Sequence, residues 1–243
     1  MLERCITSIR SLDYKNRIIV CRTTTSLPYE PKHENVVIID TPLNGSNIYG
    51  GIHVLLQNAT SDETHYILMH DSSMLLKHLP IDILTKRFYT LWYFNGNKYS
   101  YQAQFKELLS VSKIPGEEHT KVIDHYTNDQ IDFGSAESGW FGMFGPMFGG
   151  DIQTLKCFWD SIGADAVFHK PLGALNIEVA ERYIPCMASY LGIMERYALN
   201  NCIHAQREAF THPSPQELTE QSIEVVKSKG CKQYMWKTWC RRH

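Results

Sequence analysis

Asp71 is the first residue whose type and place suit chemistry. It follows an apolar run at 65–70, in the string His70-Asp71-Ser72-Ser73. In open α/β sheets, ligands bind outside the carboxyl ends of strands. A carboxylate there can hold Mn²⁺ or Mg²⁺ against two phosphates. His70 adds an imidazole, which suits manganese better than magnesium. The plain alternative is that Asp71 caps the segment after the strand.

The second candidate is the stretch 139–151, GWFGMFGPMFGGD. Its glycines let backbone come close to a ligand, and Trp140 and Phe148 can stack on a sugar ring. Gly149, Gly150 and Asp151 are its most pointed part. The stretch is not a phosphate loop, because it lacks GxGxxG and no Lys-Ser/Thr follows. A tight buried turn with aromatic packing explains the composition equally well. Asp151 alone reads more simply as the cap of the helix after it.

Glu178 and Glu181 are the third candidate. Three residues apart, they share one helix face, and either suits a general base. Glu178 can instead pair with Arg182 at i,i+4. The chain has eleven histidines but no HExxH spacing, which disfavours a zinc enzyme. His243 and Lys237 stand in a basic tail that can fold over a phosphate or metal site. GxSxG is absent, which disfavours a serine hydrolase.

The elements that must position these residues follow from periodicity. Leu2, Cys5, Ile6, Ile9 and Leu12 recur at helical spacing. Runs at 17–22, 35–40 and 65–70 read as buried strands, with a helix through Ile48, Ile52, Leu55 and Leu56 between the last two. The pattern predicts an α/β fold with a mostly parallel sheet flanked by helices. Residues 87–101, with Asn95-Gly96 at the turn, predict a small antiparallel hairpin. A short helix is expected over 101–112, and 113–138 reads as an exposed loop or flap. Further helices are expected from Asp151, from about Ala174 with a break or kink at Pro185, and from Ser214 to Gly230.

The chain has 243 residues, with 43% apolar and 21% charged side chains. That suits a single domain, read as 1–75, 76–212 and a C-terminal helix and tail at 213–243. The net charge of −2 argues against a nucleic-acid partner. Seven scattered cysteines without a CxxC pair fit reduced thiols and a cytoplasmic setting. Residues 1–20 carry no basic stretch leading into an apolar run, and no run of about 18 apolar residues occurs. No signal peptide and no membrane span are expected.

The order of these features resembles the family 2-like glycosyltransferases of the GT-A fold. The likeness lies in the first helix (LERCITSI), the strand at 17–21, the segment 45–71 and the later Phe148-Gly149-Gly150. It covers roughly 1–75 and 139–195. It implies transfer of a sugar from a nucleoside-diphosphate sugar to a hydroxyl of a glycan or protein acceptor, assisted by a metal. By resemblance, Asp71 with His70 and His243 would hold the metal. Phe148, Gly149, Gly150, Asp151 and Trp140 would line the donor sugar. Glu181 or Glu178 would be the base. The family opens with a strand where this sequence has Met1-Leu2 already in the helix. Its two-aspartate motif reads Asp71-Ser72-Ser73 here. A non-catalytic module that kept the fold, and a nucleotidyltransferase on a related fold, are the alternatives.

Overall fold

The computed structural model describes residues 2–22, 30–41, 47–71, 73–91, 93–94, 101–129, 139–143, 145, 147–169, 177–195, 203–205 and 235–237. The second hairpin arm at 98–100, the helix from Ser214 to Gly230 and His243 lie outside them.

Helix α1 (Leu2–Arg10) buries Cys5 and Ile6, two positions of its expected apolar face. Arg10 in its last turn donates to the carbonyls of Tyr14 (2.6 Å), Asn16 (3.0 Å) and Glu34 (2.9 Å). A cation at a helix C-terminus is also favoured by the helix dipole. Strands β1 (Ile18–Arg22) and β2 (Val36–Asp40) pair in parallel, from Ile18 opposite Val36 to Arg22 opposite Asp40. Helix α2 (Asn47–Asn58) follows and buries Ile48, Tyr49 and Ile52.

Strand β3 (His65–Leu68) precedes the Asp71 turn, and β4 (Ser73–Leu75) follows it. A 3-10 turn at Ile81–Thr85 leads to β5 (Phe88–Thr90), then β6 (Tyr93–Phe94). Helices α3 (Gln102–Val111) and α4 (His119–Asn128) come next. The glycine-rich stretch forms β7 (Gly142–Met143) and β8 (Phe148–Asp151). Helices α5 (Ile152–Ile162), α6 (Ala164–His169) and α7 (Ile177–Tyr190) complete the core. Short strands β9 (Ile203–Ala205) and β10 (Met235–Lys237) end the description.

The chain is therefore a mixed α/β protein. Among the described residues its sheets are small and the strand pairings are mostly antiparallel. Strand β8 lies between β3 and β5, antiparallel to both. β10 lies between β4 and β9, antiparallel to the first and parallel to the second. Strand β3 is not buried on both faces: Tyr66 is inside while Ile67 is 40% exposed. An apolar run does not specify two covered faces, and an antiparallel ladder can leave one to water.

Three expectations are corrected. The segment 113–138 is not one long loop, since α4 occupies 119–128. Its helical signal is sparse, resting on Val122 and Tyr126, four residues apart and both fully buried. Of the break or kink expected at Pro185, the break is absent, and one helix runs through it. Proline removes one backbone hydrogen bond, but Ile184 and Cys186 on either side are fully buried, so packing holds the helix. The strand at 87–94 is divided. Its first part pairs with β8, and Tyr93–Phe94 pairs with Gly142–Met143.

The core joins α2, α3, α4, α5 and α7 to β8 through aromatic contacts. Phe105 meets Tyr126 at 4.2 Å and Tyr183 at 5.0 Å, and Tyr126 stacks on Trp140 at 5.1 Å. Among the described residues, no helix is long and apolar enough to cross a membrane.

Candidate functional site

Asp71 stands in the turn between β3 and β4 and is exposed. The turn is held from beneath. His70 donates its N–H to the sulfur of Met147 (3.4 Å), and its carbonyl accepts the Ser73 N–H (3.0 Å). The Cys5 thiol of α1 points to the same carbonyl at 3.8 Å. Burial, and then the nearby Asp71 charge, push that thiol up to about 12. Ser8 of α1 accepts the Leu75 N–H at 3.0 Å, fixing the helix to β4.

The His70 ring meets the glycine-rich stretch. Gly145 has φ +57°, a left-handed conformation that favours glycine. A Cβ on it would collide with Nε2 of His70 and lie 2.9 Å from Cδ2. The imidazole thus occupies the space a side chain would need. From the other side, Glu181 of α7 accepts the Gly145 N–H at 2.7 Å through Oε1. His70 and Glu181, 111 positions apart in the sequence, meet at one glycine.

The other candidates fall elsewhere. Phe148 is fully buried, stacks on Phe88 at 5.2 Å and meets Tyr66 edge-on at 5.9 Å. Trp140 is fully buried against Tyr126, and its indole N–H donates to the carbonyls of His125 (3.1 Å) and Tyr126 (3.2 Å). Protein already covers both rings. Gly149 and Gly150 serve strand pairing: a Cβ on Gly150 would strike the Arg87 carbonyl, and one on Gly149 the Tyr89 hydroxyl. Asp151 caps α5, its Oδ1 accepting the Thr154 N–H at 2.6 Å. The Glu178 carbonyl accepts from Arg182 Nη1 at 2.7 Å. In register, Lys237 of β10 stands opposite Ser73, two residues beyond Asp71.

Sequence reasoning passed over Gly145 as one of five glycines. Its partners come from strands and helices far along the chain, so no local pattern marks it.

Two grooves flank α5. One, of about 340 Å³, is bordered by Arg87, Cys157, Phe158 and Leu191. The other, of about 240 Å³, is bordered by His53, Lys156, Trp159 and Asp160. Neither includes Asp71, His70, Gly145 or Glu181. Among the described residues, no three His, Cys, Asp or Glu side chains converge as a metal site. That donor set does not fit an ion held by protein alone. The exposed Asp71 carboxylate can supply a single oxygen ligand to an ion.

In comparison with known proteins, no family model matches this chain and no curated protein matches it.

Proposed function

We propose that the chain is a glycosyltransferase of the GT-A type, moving a sugar from a nucleoside-diphosphate sugar to a hydroxyl of a glycan or protein acceptor. One observation carries the reading. His70, next to Asp71, and Glu181 converge on Gly145, bringing the strand-end carboxylate segment and a helical acid to one place. The pairing of β3 with β8 supports it, because the Asp71 strand and the Gly-Gly strand are direct neighbours.

Asp71 is exposed, and on this reading it takes a divalent ion, Mn²⁺ or Mg²⁺, that arrives with the diphosphate. When bound, that ion offsets charge on the departing phosphate. Glu181 accepts the proton of the acceptor hydroxyl, and the Gly145 N–H holds its carboxylate in a fixed orientation. A single base of this kind suits an inverting transfer. Lys237 pairs in register with Ser73, two residues beyond Asp71. The four described cysteines, Cys5, Cys21, Cys157 and Cys186, are free thiols, which accords with a cytoplasmic setting.

A second reading, a non-catalytic binding module on this scaffold, draws on the grooves. Both flank α5 rather than the Asp71 turn.

Calorimetric titration with UDP- and GDP-sugars, with and without Mn²⁺, separates the two. Transfer requires metal-dependent binding that Asp71→Ala abolishes. Glu181→Gln should keep that binding and lower turnover by about 100-fold or more. A folded chain that binds no nucleotide sugar leaves the binding module standing.

A further inference from the structure

Arg182 follows Glu181 on α7 and is held unusually. Its guanidinium carbon lies 4.8 Å from the centroid of the Phe94 ring and 4.9 Å from that of Tyr101. Cation–π attraction favours both contacts. The surrounding backbone fixes both walls. Phe94 lies against Gly142, where a Cβ would come within 2.6 Å of its Cε2. Tyr101 has φ +64° and ψ +16°, a left-handed conformation uncommon for a residue with a side chain. Such strain gathers at ligand clamps.

The polar edge of the guanidinium is only partly used. Nη1 donates to the Glu178 carbonyl at 2.7 Å. Nε is buried and has no hydrogen-bond partner. Among the described residues Arg182 forms no ion pair with a carboxylate. The unsatisfied Nε N–H is itself buried and costly, and the partly exposed cation has no carboxylate beside it among the described residues. The guanidinium fork matches the two oxygens of a carboxylate or phosphate.

We propose that Arg182, set against the rings of Phe94 and Tyr101, is an oxyanion subsite that takes a phosphate or carboxylate group of a ligand. The side chain is only partly buried, so the two rings do not close the guanidinium off. The subsite stands independently of the transfer reading. A phosphate would come from a nucleotide, a carboxylate from an acidic sugar.

The test is calorimetric titration of the full chain with sodium pyrophosphate and, separately, sodium glucuronate, at low salt with EDTA present. The wild type should bind at least one probe. Arg182→Lys keeps the charge but loses the fork, and should weaken that binding by about tenfold or more. Circular dichroism reports whether Arg182→Lys folds. If it does not, Phe94→Leu decides, since it keeps the arginine, opens one wall and should weaken binding by about threefold. Pyrophosphate binding alone identifies a phosphate group, and glucuronate binding alone a carboxylate. Binding of neither probe, or wild-type affinity in the deciding variant, overturns the subsite. A protein that binds an oxyanion but no nucleotide sugar keeps the subsite and loses the transfer reading.

Discussion

The two ends of one short stretch use glycine differently. At Gly149 and Gly150, a side chain would strike strand neighbours: the Tyr89 hydroxyl and the Arg87 carbonyl. At Gly145 it would strike the ring of His70, while the N–H at the same residue meets the carboxylate of Glu181. The first pair lets three strands close. The second lets two chemically capable side chains meet. Glycine richness alone does not separate these uses, but the identity of the displaced atom does.

Substitutions can break that contrast. Gly150→Ala should have the largest effect on stability. Its clash is with backbone, which cannot rotate away, and overpacking of this kind costs about 3 kcal/mol. Urea unfolding would read it as a lower midpoint, and an unchanged midpoint would show that β8 can shift. Gly145→Ala should cost less, about 2 kcal/mol, from its left-handed backbone together with the movable His70 ring that its Cβ would displace. Its signature is coupling. The Gly145→Ala, His70→Ala double variant should recover part of the stability, because the obstructing ring is gone. Strict additivity in that cycle would show that the two residues do not press on each other. The smallest effect belongs to Asp151→Ala, about 1 kcal/mol from loss of the α5 cap, with nucleotide-sugar binding unchanged. Loss of that binding in a folded variant would restore Asp151 to the ligand site.

The first third of the fold was legible in the sequence. Helix α1, strands β1 to β3 and helix α2 announce themselves through apolar spacing. Helix α5 does so from Asp151, the cap at its start. Helix α4 was not legible, because His119, Thr120, Lys121 and Asp124 mask a face made chiefly by Val122 and Tyr126. Strand β8 was hidden by glycines, which have low strand propensity and fit here because the neighbouring strands crowd them. At the candidate site, His70 and Glu181 were recognisable by type and context. Their convergence was not, since it depends on a contact between distant segments. Trp140 and Phe148 show the reverse. An aromatic residue beside glycine looks the same in sequence whether its face meets a ligand or the core.

Strand β10 carries a consequence for how the chain acquires its shape. It fills the place between β4 and β9, pairing Met235 with Leu75 across most of the sequence. Contacts between such distant residues require a large loop to close, and they slow folding. During synthesis on the ribosome, α1 and the Asp71 turn emerge long before β10. Until β10 arrives, β4 lacks this neighbour, and the turn carrying Asp71 is braced chiefly by α1 and Met147. Assembly of this part of the molecule is therefore a late, chain-spanning event, even though its first residues are among the earliest made.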